Sequence, residues 1–469
     1  MRRPILLGVV AGLLALVVLP GQAAAVQGPP ATAPATTAPA TTAPATTTPA
    51  TTTPATTTPA TTTPIEHFVV LMQAEHTFDN YFGTYPGANG VPPGTCLPLD
   101  TETRDPAGCV APFRIGNEPP EDLSLTAGVQ RRQYAGGRMD GFVSAYRRLG
   151  RDGSTVMGYY DADDLPFYWN VADRFTLFDN FFSSARVGPR LNHFYWVAGV
   201  PTPSGGEHLP PEGYGDVPTI FDRLTERGVP WKFYVENLDP AANYRTHPAS
   251  TVRVPLLAFA RFLDDPRLAG HVVDLSEYYR DLDAGTLPSV AYVVANGSSE
   301  NPPSRLDKGQ DLVRGMTGEL AKSSYWSSSA FLWTYSGGGG WYDHVPPPAV
   351  DGDGYGFRVP ALMISPYSRR GEVDHTTLDY TGILRFIEDN WQVAPLGTRD
   401  ASSPGLASAF DFTAPPRPPE LVGTDRTPPP VNTRARWVVY GSYGGMLLIA
   451  VAAAVTPAVV RRRREKVAS

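Results

Sequence analysis

Apolar residues arrive along this chain in short unbroken runs that end in polar or glycine-rich loops. The clearest are HFVVLM at 67–72, VAYVV at 290–294, AFLWT at 330–334 and VPALMI at 359–364. Runs of this length without alternation predict strands buried on both faces, as in a parallel sheet covered by helices. Two further segments carry helical spacing instead: KGQDLVRGMTGELAK at 308–322 and DYTGILRFIEDNW at 379–391. Strands and helices in alternation predict an α/β layered fold with a largely parallel central sheet. Ligands in such folds bind outside the carboxyl ends of the strands, so the loops that follow the runs are where chemistry is sought.

Two other apolar stretches lie at the ends. The chain opens MRRPILLGVVAGLLALVVLPGQAAA, with two arginines, an apolar run and a small-residue site before residue 26. That is the pattern of a secretory signal peptide over 1–25, cleaved after Ala25. An uncleaved anchor is the alternative, and either one exports the rest. Near the other end, 437–460 holds no charged residue. As a helix rising about 1.5 Å per residue it reaches about 36 Å, enough to cross a bilayer, and Pro457 is tolerable there. Four arginines and Lys466 follow within 461–469, which places that tail in the cytoplasm. The expectation is a single-pass protein of the cell membrane with its ectodomain outside the cytoplasm.

Between the ends the composition shifts twice. Residues 26–64 repeat Thr, Ala and Pro and cannot build a core, so they predict an extended stalk of the kind that is often O-glycosylated. Residues 412–436 are Pro-rich and read as a linker that holds the body, 65–411, off the membrane. A formal net charge of −7 gives no nucleic-acid signature. The two cysteines, Cys96 and Cys109, lie close together in an exported chain and are expected to pair. Such a closure contributes about 3 kcal/mol in the chain-entropy model; two free thiols are the alternative.

Five stretches add up to a resemblance: IEHFVVLMQAEHTFDNYFGTYPG at 65, FFSSARVGPRLNHFYWVAG at 181, PSVAYVVANGSSENPPSRLDKGQ at 288, AFLWTYSGGGGWYDHVPPP at 330 and VPALMISPYSRRGEVDHTTLDYTGILRFIEDNWQV at 359. From about 65 to 400 the chain resembles the bacterial phosphoesterase family of phospholipases C and acid phosphatases. The resemblance implies an alkaline-phosphatase-like α/β/α sandwich. It also implies hydrolysis of phosphate esters by a hydroxyl nucleophile beside a divalent metal ion, with histidines around the phosphate. A hard cation takes oxygen ligands, and it would neutralise the phosphate and activate the nucleophile.

The residues at the family's positions depart from that pattern. The Glu-Asn that follows the first strand in the family is Ala74 and Glu75 here, and Phe78-Asp79 fix the register. The nucleophile of the family stands three residues before the Asn of an Asn-His pair; the pair is Asn192-His193, and three residues earlier is Pro189. Ser183 and Ser184 are five or six residues upstream of it, and Arg190 is able to bind an anion but not to attack. A family His before MDGF aligns with Leu125, and the His of His-Pro-Pro with Asn301. Two adjacent metal-binding acids align with Ser336 and Gly337. Asp343 and His344 remain, with a structural role in the turn as one account of them.

The matching losses from 74 to 337 lead to the expectation of a pseudoenzyme with no metal or other cofactor. A missing nucleophile alone costs on the order of a million-fold in a serine hydrolase. The expected ligand is a phosphate-containing molecule or lipid head group. The alternative is an active phosphate-ester hydrolase with a site rearranged around Glu75, His76 and His193. Other constellations receive plainer readings. DGDGYG at 351 lacks the acid at the twelfth position of a calcium loop, where Leu362 stands, and reads as a turn. Asp161, Asp163 and Asp164 read as acids at a helix start, His375 as a capping residue, and GGGG at 337–340 as a flexible loop.

Overall fold

The computed structural model describes residues 59–102, 108–116, 122–123, 126–301, 305–352 and 354–426. The signal peptide, most of the stalk, Leu125, the last part of the linker and the 437–460 segment lie outside the described residues. Among the described residues no helix is long and apolar enough to cross a membrane.

Eight strands form the central sheet: β1 (His67–Gln73), β2 (Thr176–Phe178), β3 (Trp231–Val235), β4 (Val272–Asp274), β5 (Val290–Val294), β6 (Ser329–Tyr335), β7 (Ala361–Ile364) and β8 (Glu372–Asp374). Their order is β8-β2-β7-β6-β1-β5-β3-β4. β1 lies at the centre, parallel to β6 with Val70 opposite Leu332, and parallel to β5 with Val70 opposite Tyr292. Val70, Leu332 and Tyr292 are wholly buried, as expected of unbroken apolar runs covered on both faces.

One of the runs read as parallel strands is not parallel. β7 is antiparallel to both of its neighbours, β6 and β2, while the other strands all run with β1. A strand buried on both faces shows the same apolar string in either direction, so its sequence carries no sign of its sense.

Helices cover the sheet. Those that matter for the site are α1 (Phe78–Phe82), α2 (Ala127–Tyr134), α3 (Pro189–Ala198), α4 (Leu306–Lys322) and α5 (Tyr380–Trp391). α4 buries Val313, Met316 and Leu320, a stripe at helical spacing. α1 starts where the Thr77 hydroxyl accepts from the Asn80 amide at 3.2 Å. α3 has Pro189 at its first position, where a missing N–H costs nothing. A smaller apolar cluster, including Leu123, Phe142, Trp341 and Phe357, packs beside the main core. Cys96 and Cys109 are disulfide-bonded, with Cα atoms 5.5 Å apart.

Both ends of the body are fastened more firmly than stalk and linker compositions suggest. Thr62 N–H donates to the Asn390 carbonyl at 2.9 Å, and the Thr63 hydroxyl to Asn390 Oδ1 at 2.7 Å. In the Pro-rich segment, Trp326 Nε1 donates to the Arg417 carbonyl at 2.8 Å and Asn170 Nδ2 to that of Gly423 at 2.9 Å. Arg426 pairs with Asp173 at 3.0 Å. As far as residue 426, then, the segment read as a free spacer is part of the body. Trp326 precedes β6, Asp173 precedes β2, and Glu66 N–H bonds to Ser328 ahead of β6. Both ends therefore leave from the amino ends of the parallel strands.

Candidate functional site at the strand ends

The loop after β1 turns at Glu75, which holds a left-handed φ of 69°. That conformation is uncommon for a residue with a Cβ. It aims the buried carboxylate at the loop after β6, where Oε1 accepts from the Ser336 hydroxyl at 3.2 Å and Oε2 from the Gly339 amide at 3.1 Å. Ser336 N–H in turn donates to the Gln73 carbonyl at 2.9 Å. A Cβ on Gly337 would lie 3.4 Å from Glu75 Oε2 and 3.6 Å from Asn192 Nδ2. Glu75, Ser336, Gly337 and Asn192, with Glu75 and Ser336 261 residues apart in the chain, thus share one place. Burial raises the Glu75 carboxyl pKa, against the Ser336 hydroxyl and the nearby charge of Arg253, which lower it.

α3 supplies the next wall. Asn192 is spent on its own turn: Oδ1 accepts from Ala185 N–H at 2.8 Å, and Nδ2 donates to the Ala185 and Gly188 carbonyls. His193 Nδ1 donates to the Pro189 carbonyl at 2.8 Å, and burial pushes its pKa down to about 3, so the ring is neutral. The Arg190 guanidinium is buried against Thr251, Tyr214 and the Pro248 carbonyl. Its backbone N–H and that of Leu191 instead meet the carboxylate of Glu207, at 3.2 and 3.0 Å.

Asn301 lies in the loop after β5, next to a buried acid that the sequence reading passes over. Glu300 accepts from the hydroxyls of Tyr81 and Tyr335, both at 2.6 Å, and from that of Tyr168. Burial pushes its carboxyl up to about 7, although the three hydroxyls pull the other way. His76 stacks on Tyr81 with ring centres 4.3 Å apart, and its Nε2 donates to the Glu300 carbonyl at 3.0 Å. Burial holds that ring neutral, with a pKa down to about 4.

Asp79, Asp343 and His344 lie close enough to suggest a cation site, but a cation of the chain's own is present. Arg358 is wholly buried and pairs with Asp79 Oδ1 and Asp343 Oδ1, both at 2.9 Å. It also donates to the carbonyls of Asn89 and Asp179. His344 Nδ1 lies 2.7 Å from Asp79 Oδ2. Burial pushes the Asp343 carboxyl up to about 6, opposed by the Arg358 charge. The retained Asp-His pair is thus tied into the scaffold around a guanidinium.

The divalent ion implied by the resemblance does not fit the residues at 74, 75, 336 and 337. Ala74 and Gly337 offer no side-chain donor, and the neutral Ser336 hydroxyl already donates to Glu75. One carboxylate remains where a hard dication needs several oxygens. Pro189, at the head of α3, carries no hydroxyl, and Ser183 Oγ donates to the Phe357 carbonyl. Arg190 is not poised for an anion with its side chain, as noted above. The 337–340 stretch is no flexible loop: it is buried, and a Cβ on Gly339 would lie 1.9 Å from the Glu75 carbonyl oxygen. Asp161, Asp163 and Asp164 gather on Arg114, 2.8 Å from Asp164. His375 Nδ1 lies 2.9 Å from Asp179, and Asp351 accepts from Gly354 N–H in a turn.

Sequence reasoning also missed Arg253, Arg358 and Glu207. Arg358 and Asp79 are 279 residues apart, so no local pattern connects them. Glu207 sits in PTPSGGEHLPPEGYG, which reads only as a turn.

Comparison with known proteins agrees with the motifs. Phospholipase C B of Mycobacterium tuberculosis is 29% identical over 418 residues, covering 76% of this chain and 79% of the relative. The non-hemolytic phospholipase C of Burkholderia pseudomallei is 29% identical over 452 residues, covering 79% and 62%. Among solved structures, a protein of the alkaline phosphatase superfamily from Vibrio parahaemolyticus aligns with a TM-score of 0.39 at 13% identity, covering 74% of this chain and 72% of its own. The profile of the phosphoesterase family matches residues 65–394, from the start of β1 past the end of α5. With that span, the chain belongs to the phosphoesterase family.

Proposed function

We propose that this chain is a catalytically inactive member of its family, exported and anchored in the cell membrane through 437–460. Its strand-end cleft holds a phosphate-bearing ligand or lipid head group, or serves as a scaffold. The observation that carries this reading is the state of Glu75: a single buried carboxylate, satisfied by the Ser336 hydroxyl and the Gly339 amide, where a metal centre needs several oxygens. Pro189 at the head of α3 adds the lack of a hydroxyl to attack phosphorus.

The relatives named phospholipase C favour a rival, a phosphate-ester hydrolase rearranged around Glu75, His76 and His193. Against it stand two imidazoles that burial keeps neutral, each bonded to a backbone carbonyl. The test is turnover by the purified full chain in detergent with magnesium, calcium, manganese or zinc. The expected release from p-nitrophenyl phosphate and from phosphatidylcholine equals the blank. Steady turnover that Glu75→Ala abolishes would establish the rival. Anchoring is checked by cell fractionation and by protease access to the ectodomain in intact cells; a soluble ectodomain would refute it.

A further inference from the structure

A second pocket, of about 170 Å³, opens where β3 and β5 end at Val235 and Val294. Ligands in layered α/β folds sit at that edge of the sheet. Two short turns, Pro248–Val252 and Pro255–Ala258, fold over it and carry Arg253 between them. Its walls are largely apolar, with Leu238, Ala242 and Leu257 facing Val235 and Val294 across the space. None of its lining residues belongs to the Glu75 cluster.

The guanidinium on that wall has no counter-charge. Arg253 Nη1 donates to the Ala295 carbonyl at 3.0 Å, the one described hydrogen bond of the group. Among the described residues no carboxylate pairs with it. Burial works against the charge and lowers the Arg253 pKa, and Glu75 and Glu236 favour the charge only from a distance. A largely enclosed cation without a partner is costly. Glu236 is the natural partner, and it is turned elsewhere. Its Oε2 accepts from the N–H groups of Asn296, Gly297 and Ser298 at 2.9, 2.7 and 2.6 Å, and its Oε1 from the Ser298 hydroxyl at 2.7 Å. Asp239 lies exposed on the pocket's lining, where it accepts from Ala241 N–H at 2.9 Å and lies 3.8 Å from His247 Nδ1.

We propose that this pocket binds a small monocarboxylate with a short apolar tail, its carboxylate on Arg253 and its tail against Leu238, Ala242 and Leu257. A planar guanidinium meets a carboxylate through two parallel hydrogen bonds. One cation among apolar walls suits one negative charge; a phosphate dianion would keep an uncompensated charge there. A dry cavity of about 150 Å³ holds benzene, so the room here suits a ligand of about six to eight non-hydrogen atoms, the size of butyrate or hexanoate. The proposal does not depend on whether the chain hydrolyses phosphate esters.

The test is calorimetric titration of the full chain in detergent with acetate, butyrate, hexanoate and octanoate. Each methylene that finds room tightens binding about threefold to fourfold, so butyrate should bind about tenfold more tightly than acetate. Hexanoate should bind more tightly still, and octanoate should gain nothing further. No binding, or affinities that ignore tail length, would overturn the proposal without any variant being made. Arg253→Met keeps an apolar stem and removes the charge, and is expected to weaken hexanoate at least tenfold. A folded variant that binds hexanoate as the parent does would also overturn it. Should Arg253→Met misfold, Ala242→Leu fills the space and leaves the guanidinium; it too is expected to weaken hexanoate at least tenfold, and unchanged binding refutes the site. Hexylamine and inorganic phosphate are the controls. Hexylamine that matches hexanoate, or phosphate that displaces it, would rule out a carboxylate site.

Discussion

Glu75 and Asp79 are four residues apart in one turn, and both carboxylates are almost wholly buried. Their surroundings differ in kind. Asp79 faces a complete counter-charge, the Arg358 guanidinium, which it shares with Asp343. Glu75 faces a hydroxyl and one amide, with Arg253 close enough only to pull on its pKa. The first cluster belongs to the motifs FDNYFG and WYDHV, which carry the family resemblance; the second lies where that resemblance implies the metal ligands. A long motif match thus reports the scaffold around a site, and says nothing of the site's own ligands.

The largest expected effect tests the first cluster. Arg358→Met leaves two buried acids without a cation and is expected to cost about 3–5 kcal/mol in urea unfolding. A loss below about 1 kcal/mol would erase the contrast. Next comes pH. The folded pKa of Glu300, about 7, lies above its ordinary 4.5. Its stabilising contribution is complete below about pH 4.5 and is lost as pH rises through about 7. Stability followed by unfolding across that window should fall less steeply in Glu300→Gln than in the parent; equal slopes would show that the tyrosines hold this acid ionised throughout.

Glu75→Gln should change stability by less than about 1 kcal/mol, because it removes a desolvated charge and keeps an acceptor. A thermal scan that shows a loss of several kcal/mol would mean that charge holds the loop. The smallest effect is expected from metals. A bound ion at a hundred times its Kd would contribute about 2.7 kcal/mol, so millimolar magnesium, calcium or zinc should leave Tm unchanged. A rise reversed by chelator would place an ion where none fits.

Much of the frame was legible beforehand. The run at 290–294 coincides with β5, and those at 67–72 and 330–334 grow by one residue or two. That the loops following parallel strands carry the site was legible too, and Glu75, Asn192, Ser336 and Gly337 meet in them. What stayed hidden depends on partners far along the chain. Arg358 stands alone in GFRVPAL and shows its role only through Asp79 and Asp343. The glycines at 337–340 signal freedom in a sequence, yet here they admit the Glu75 backbone at close quarters. The sense of β7 and the grip of residues 412–426 on the body likewise depend on tertiary contacts that composition does not encode.

That grip has a mechanical side. Force applied through either end enters at Thr62 or at Trp326, Asn170 and Asp173, all at the amino edge of the sheet. The load path therefore runs across the floor of the domain and bypasses the cleft. Were the chain anchored as proposed, a pull on its ends would load the amino edge of the sheet and leave the strand-end loops unstrained.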